Sequence, residues 1–241
     1  PPCDNLYGVN TSLEQYTTHE GLRRALSMVR EGGFGWVRQR FPWAEIEPSP
    51  GQYDWAPWDR IVFEIRRHGL HLIAVLDTSP EWARHPVDDD NRSAPPQFIT
   101  TFGLFARAFA ARYGDQIVCY EVWDQPNVFP HWGDRPIDPA GYARLLEVAA
   151  AELRRMDADA IVLSGGLAPT TEGGGRNMSE VLFLRGIYQA GAKGHFDVLA
   201  AKPYGFWSGP EDRRVDSQVL NFSRLILLRE EMVRQGDENV P

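Results

Sequence analysis

The stretch "CYEVWDQPNVFPHWG", Cys119 to Gly133, joins a short apolar run to a polar loop that contains aromatic residues and proline. The run over residues 117–123 has the length and apolar character of a strand that is covered on both faces. Asp124 and Gln125, an acid beside an amide, follow where this strand ends. The stretch therefore predicts a buried strand whose end opens on a ligand site.

The rest of the chain repeats this pattern of a short β run followed by an amphipathic helix. Strands are predicted at residues 6–10, 35–43, 71–77, 117–123, 160–165 and 198–204. Helices are predicted at residues 19–31, 58–68, 99–113, 139–156, 179–190 and 218–234. Six βα units in a row are typical of a parallel sheet covered by helices, either a doubly wound open sheet or a (β/α)8 barrel.

The polar residues at the strand ends favour the barrel. They follow or end four of the predicted strands, and they are Arg38, Arg40, Asp77, Asp124 to Asn127, and Lys202 to Tyr204. A barrel gathers the ends of all its strands around one site, whereas an open sheet places its ligand at one switch point. We therefore expect an α/β fold of the TIM (β/α)8 type.

The number of units is smaller than the eight that a closed barrel needs. A seventh strand is expected to begin near "GDENVP", residues 236–241. An open six-stranded sheet would leave two unpaired edges over its core. We therefore expect residues 1–241 to form one barrel domain that ends before its seventh strand, with a C-terminal remainder or a second chain completing the barrel.

The composition is that of a globular domain and argues against several classes of function. The chain has 241 residues, 43% of them hydrophobic, and a formal net charge of -8 without a block of Lys and Arg, so a nucleic-acid partner is not expected. No apolar run approaches the roughly 20 residues of a membrane span. The histidines lack metal-ligand spacing, and the glycine-rich residues 172–177 lack the lysine of a phosphate-binding loop. Neither a metal nor a cofactor is expected.

Several of the eight tryptophans lie beside predicted strand ends. Trp82 follows the third strand, Trp132 follows the fourth beside His131, and Trp207 follows the sixth. Aromatic faces at the mouth of a site suit flat apolar surfaces such as those of sugar rings. The alternative is that these tryptophans fill the core and its rim.

Four segments of the chain form a recognisable pattern: "WVRQRFPWAEIEPSPGQYDWAPWDRIV", "LDTSPEWA", "YEVWDQPN" and "KPYGFW". In this order and spacing they resemble the clan A retaining glycoside hydrolases, closest to the family-39 and family-5 barrels. In that clan the fourth strand ends in Asn-Glu-Pro, in which Glu is the general acid/base and Asn holds the 2-hydroxyl of the sugar. A second Glu, the nucleophile, comes from the seventh strand. The resemblance implies hydrolysis of O-glycosyl bonds, with a β-linked oligosaccharide or glycoside as partner.

The chain departs from that pattern at its fourth strand. Gln125 occupies the acid/base position and Asp124 the position of the Asn. A carboxamide has no proton to give, and general acid–base help is typically worth about 10²–10⁴ in rate. Lys202 stands where the clan often has His, and Tyr204 matches the clan's tyrosine. We expect Asp124 and Lys202 to form an ion pair; alternatively, Asp124 has taken over as proton donor.

These residues leave three functions open: an O-glycosidase, a barrel of glycosidase descent that binds carbohydrate without cleaving it, and a structural fragment without a site. Arg38 and Arg40 lie on one face of the second strand, as ligand contacts or as ion-paired structural residues. The candidate catalytic residues are Gln125 and Asp124. The candidate substrate-binding residues are Arg38, Arg40, Asp77, Trp82, Asn127, His131, Trp132, Lys202, Tyr204 and Trp207.

Overall fold

A parallel sheet of five strands forms the centre of the protein in the computed structural model, which describes residues 5–241. The strands are β1 (Gly8–Thr11), β2 (Trp36–Pro42), β3 (His71–Asp77), β4 (Cys119–Val122) and β5 (Ile161–Leu163). Each strand pairs with the next one along the chain, in the order β1-β2-β3-β4-β5. This order is that of a partial α/β barrel, as the sequence predicts.

Helices connect the strands and cover the sheet. They are α1 (His19–Glu31), α2 (Trp43–Ile46), α3 (Ala56–Arg67), α4 (Ile99–Tyr113), α5 (Pro139–Met156), α6 (Glu180–Gln189) and α7 (Leu225–Arg234). A two-stranded hairpin, β6 (Gly173–Gly174) and β7 (Asn177–Met178), lies in the loop after β5. Within residues 5–241, none of the helices combines the length and the apolar character that crossing a membrane requires.

The alternation of side chains along β2 separates the core from the polar face of the sheet. Val37 and Phe41 are fully buried, and Phe41 packs edge-on against Phe109 of α4 with ring centroids 5.0 Å apart. Arg38 and Arg40 lie on the opposite face, because successive side chains of a strand point to opposite sides. The face that carries the two arginines is therefore the one on which a site can form.

Aromatic side chains form a connected cluster within the core between the sheet and the helices. Trp43 stacks on Phe105 of α4 with ring centroids 5.6 Å apart, and Phe102 meets Trp123 edge-on at 5.6 Å. Each such pair contributes about 0.5–1.5 kcal/mol beyond the apolar area that it buries. These contacts fix α4 against the ends of β2 and β4, where the polar loops begin.

Tyr142 of α5 connects this core to the ends of two strands. Its buried hydroxyl donates to the carbonyl oxygen of Val122 at 2.9 Å and accepts from the backbone N–H of Gly165 at 2.6 Å. The residues that follow β4 and β5 therefore start from fixed positions in the barrel.

The sixth predicted strand, residues 198–204, is reduced to two isolated parallel bridges, Leu163 with Val198 and Leu167 with Ala201. Between them the N–H of Ala200 donates to the hydroxyl of Ser164 at 3.0 Å, which interrupts the backbone ladder. Pro203 has no N–H with which to extend it. The segment still runs beside β5 and places Lys202 at the same edge of the sheet as the ends of the other strands.

Candidate functional site

Four charged side chains meet at the carboxyl ends of β2, β4 and the segment beside β5. We call Arg38, Glu121, Asp124 and Lys202 the central cluster. Its members are separated by up to 164 positions in the chain and are brought together by the parallel register of the strands. This cluster is the candidate functional site, because the carboxyl ends of parallel strands are where ligands of such folds bind.

Arg38 is the organising residue of the central cluster. Its Nε and Nη2 donate to the two carboxylate oxygens of Glu121 at 2.6 and 2.7 Å, and Nη2 also donates to Asp124 at 2.9 Å. Nη1 donates to Asn10 of β1 at 3.1 Å. Although burial opposes its charge, these hydrogen bonds and the two carboxylates raise the pKa of Arg38. The guanidinium is therefore committed to the protein and crosslinks β1, β2 and β4.

Asp124 carries a negative charge in this site. Its Oδ1 lies 2.6 Å from the Nζ of Lys202, which confirms the predicted ion pair, and accepts from Arg38. Burial alone would raise the pKa of Asp124, but the charges of Lys202 and Arg38 outweigh burial and lower it. Asp124 is therefore ionised at neutral pH and holds no proton to donate.

A glycine at position 166 allows the central cluster to pack this closely. The N–H of Gly166 donates to Glu121 Oε1 at 2.9 Å. A Cβ added there would lie 3.1 Å from Glu121 Oε1 and 3.2 Å from Lys202 Cε. A side chain at position 166, just after β5, would therefore require Glu121 or Lys202 to shift by a few tenths of an ångström.

The backbone is strained at the ends of β3 and β4. Three residues other than glycine have positive φ angles within residues 5–241: Thr78 (64°), Trp123 (71°) and Gln125 (53°). Such conformations cost of order 1–3 kcal/mol each and concentrate at functional sites. Two of them flank Asp124, and the third follows Asp77, so the strain coincides with the charged residues.

Arg40 and Asp77 form a second ion pair beside the central cluster. The Nε of Arg40 donates to Asp77 Oδ2 at 2.7 Å, while Asp77 Oδ1 is buried and has no hydrogen-bond partner within residues 5–241. Burial raises the pKa of Asp77 to about 6, against the charge of Arg40. Asp77 is therefore the carboxyl group of this region that changes its charge in mildly acidic solution.

Asp77 should accordingly bind its proton with a midpoint near pH 6. The folded protein then holds this proton more tightly than the unfolded chain, in which the pKa is about 3.9. The contribution of Asp77 to the free energy of unfolding should therefore fall as the pH rises from about 4 to 6. Carboxyl ¹³C NMR of the wild type and of Asp77→Asn would identify the resonance, and a midpoint below about pH 4 would contradict the prediction.

Gln125 and His131 lie beside the central cluster, and their side-chain polar groups have no hydrogen-bond partner within residues 5–241. Gln125 is half-buried, and its side chain makes no hydrogen bond to any of residues 5–241. Burial lowers the pKa of His131, although the charge of Asp124 opposes this shift, so the imidazole is neutral at neutral pH. Both side chains can exchange hydrogen bonds with a ligand.

Two of the predicted binding residues lie in the interior instead. Asn127 is fully buried; its amide donates to the carbonyl oxygens of Ala168 and Met178, and its oxygen accepts from the N–H of Ala168. Trp132 is 4% exposed and packs between Trp123 and Tyr142. These two side chains hold the loop after β4 in place. Asn127 presents no surface to a ligand, whereas Trp132 borders a separate cavity of about 240 Å³ beside Arg135 and Asp138.

The other three predicted aromatic residues lie in the loop after β3 and in the loop after Lys202. The indole N–H of Trp82 donates to the carbonyl oxygen of Glu47, and its ring borders a cavity on the outer side of α4. Tyr204 and Trp207 lie in the loop after Lys202, with 51% and 94% of their surface exposed. Trp82 thus belongs to a different surface, while Tyr204 and Trp207 follow Lys202 at the mouth.

Glu121 is the residue of the candidate site that the sequence analysis missed. It lies within an apolar run and was counted only as part of the fourth strand. An acidic residue inside a strand that is covered on both faces is rarely buried without a charged partner, so its position in the apolar run is itself a sign of a polar site.

Within residues 5–241, no group of three or more His, Cys, Asp and Glu side chains is arranged to hold a metal ion.

A family model and several solved structures that are similar to this chain are all glycoside hydrolases. The family model of glycoside hydrolase family 42, described as beta-galactosidase, matches residues 13–99, which is less than half of the chain. A comparison with curated protein sequences found no significant match.

Among solved structures, the family 39 glycoside hydrolase enzyme from Xanthomonas axonopodis pv. citri superposes with a TM-score of 0.70 at 16% identity, covering 98% of this chain and 49% of that one. A family 39 glycoside hydrolase from Bacteroides cellulosilyticus WH2 superposes with a TM-score of 0.65 at 17% identity, and the match covers 85% of this chain and 39% of that one. The beta-galactosidase from the psychrophilic Marinomonas ef1 superposes with a TM-score of 0.56 at 14% identity, and the match covers 82% of this chain and 40% of that one. The chain thus spans less than half the length of these structures, and its fold is like that of the clan A glycoside hydrolases.

Proposed function

We propose that this clan A glycoside hydrolase-like barrel binds carbohydrate at the central cluster and does not cleave it by the acid/base chemistry of that clan. The observation that carries the proposal is the pair at the end of β4. Asp124 is held ionised between Lys202 and Arg38, and its neighbour Gln125 is an amide. Neither side chain supplies the proton that a departing glycosidic oxygen needs.

The groups left available around the cluster suit a ligand rich in hydroxyls. Within residues 5–241 the ammonium of Lys202 has one ion-pair partner, Asp124, and retains further donors. The Gln125 amide and the neutral imidazole of His131 each offer a donor and an acceptor. Since a sugar hydroxyl both donates and accepts, this mixture fits a polyhydroxylated ligand better than one that offers only acceptors.

Exposed aromatic side chains in the loop after Lys202 add a surface for a sugar ring. Trp207 is 94% exposed, and Tyr204 and Phe206 meet edge-on with centroids 6.4 Å apart. Large exposed aromatic residues beside a polar site are typical of binding surfaces. Because this loop directly follows Lys202, we propose that a sugar held at the central cluster extends onto it, and that the ligand class is a β-linked oligosaccharide.

Lys202→Met should weaken carbohydrate binding about tenfold, because a hydrogen bond to a charged group contributes about 1.5–3 kcal/mol. Lys193→Met is the matched control: it removes an ammonium that lies between Gln235, Gly236 and Asp237, away from the cluster. Titration calorimetry and tryptophan fluorescence with β-1,4-linked cellotriose, xylotriose, mannotriose and galactotriose measure both. A response to ATP with none to the four sugars would overturn the proposal. Turnover of a sugar that depends on Asp124 would restore the glycosidase as the function.

A further inference from the structure

A second polar cavity adjoins the central cluster at the ends of β2 and β3. It has a volume of about 210 Å³, and we call it the arginine cavity. Its polar lining residues are Glu14, Arg40, Glu45, Thr78, Arg92 and Ser93. Arg40 connects it to the central cluster, because it lines the cavity and lies two positions after Arg38 on the same face of β2.

The polar groups of the arginine cavity are partly unused. The carboxylate of Glu14 accepts from the Gln39 amide through Oε2 alone, which leaves Oε1 available. The hydroxyl of Thr78 accepts from the N–H of Ala44 at 3.2 Å and retains its own proton for donation. The Ser93 hydroxyl makes no hydrogen bond to any of residues 5–241. Donors and acceptors are therefore both open to a ligand.

The charges of the cavity are balanced or slightly negative. Arg40 and Arg92 face Glu14 and Glu45, and Arg92 pairs with Glu45 at 2.6 Å. The positive charge of Arg40 is further compensated by its ion pair with Asp77, which is buried beside the cavity. An anionic sugar would find no uncompensated positive charge here, whereas neutral hydroxyl groups find guanidinium donors beside carboxylate acceptors.

We propose that the arginine cavity is a second saccharide subsite, which binds a neutral sugar unit of the oligosaccharide held at the central cluster. The inference rests on the proposed function, because it places the next unit of the same ligand. Arg40 and Arg92 donate to hydroxyls of this unit, and Glu14 and Thr78 fix their orientation. A ligand that spans both positions therefore has at least two sugar units.

Arg92→Ala tests the subsite without disturbing the core, because the half-exposed Arg92 side chain pairs with exposed Glu45 and with no other side chain of residues 5–241. Titration calorimetry with the four β-1,4-linked trisaccharides should show binding about tenfold weaker than that of the wild type. Binding of the matching methyl β-monosaccharides, which fill the central cluster alone, should change less than about twofold. Arg144→Ala, which removes an arginine from the exposed pair with Asp138, is the control and should change neither.

The outcomes separate the subsite from the function on which it rests. If Lys202→Met weakens trisaccharide binding and Arg92→Ala leaves it unchanged, the subsite is overturned and the central cluster stands as a binding site. If Arg92→Ala alone weakens binding, the subsite stands and the role of the central cluster fails. If none of the sugars binds the wild type, both are overturned. Tighter binding of cellobiouronic acid than of cellobiose would overturn the neutral sugar as the ligand class.

Discussion

Replacing Arg38 by Met should destabilise the protein by about 3–5 kcal/mol, the range expected when one partner of a buried ion pair is removed. The change leaves two carboxylates, Glu121 and Asp124, without their guanidinium. Glu121 has a side chain only 2% exposed and cannot recover its hydration. Since Arg38 also contacts Asn10, the same change loosens the attachment of β1. Urea unfolding at neutral pH would measure the loss.

Two further variants identify the cause of that loss. Arg92→Met removes an exposed ion pair and should cost about 0–1 kcal/mol. Adding Glu121→Leu to Arg38→Met should restore part of the stability, because it removes the buried charge that the first change left unpaired. If the double variant is less stable than Arg38→Met alone, unpaired charge is not the reason for the loss.

Alkyl β-glycosides should not be hydrolysed at a measurable rate by this chain, and Asp124→Asn should leave that background unchanged. General acid catalysis is worth about 10²–10⁴ in rate, and an ionised carboxylate has no proton whose removal could matter. Gln125→Ala should also leave the background rate of hydrolysis unchanged, because an amide gives no proton either. Release of methanol from methyl β-glycosides at pH 5 to 8 would measure all three proteins.

Hydrolysis of glycosides by the wild type would be the contrary result. Turnover by the wild type at about 1–10³ per second, an ordinary enzymatic rate, would contradict the prediction. If Asp124→Asn then abolished the rate while Gln125→Ala barely changed it, Asp124 would be the proton donor. Its pKa would have to lie above neutrality during the reaction, which requires the ligand to displace Lys202 or Arg38 from the carboxylate.

The sequence by itself determined the order of the first five βα units and the bounds of several of their elements. The helices α1, α4 and α5 begin and end at the predicted residues, and β3 does so as well. Their patterns depend on the alternation of apolar and polar residues over about ten to eighteen positions, which is local information. The predicted α/β barrel class is confirmed, because the five strands pair in chain order and the fold superposes on two family 39 glycoside hydrolase structures.

Only the tertiary structure decided which of these polar residues meet and in what charge state. Arg38 and Glu121 are 83 positions apart, and their bidentate contact follows from the register of β2, β3 and β4, which no local pattern encodes. The same holds for Asn127, which reads as a loop residue but is enclosed by backbone groups 41 and 51 positions away. Whether Asp124 can give a proton depends on the ammonium and guanidinium brought to it by other strands, because neighbouring charges and burial set the pKa of a carboxyl group.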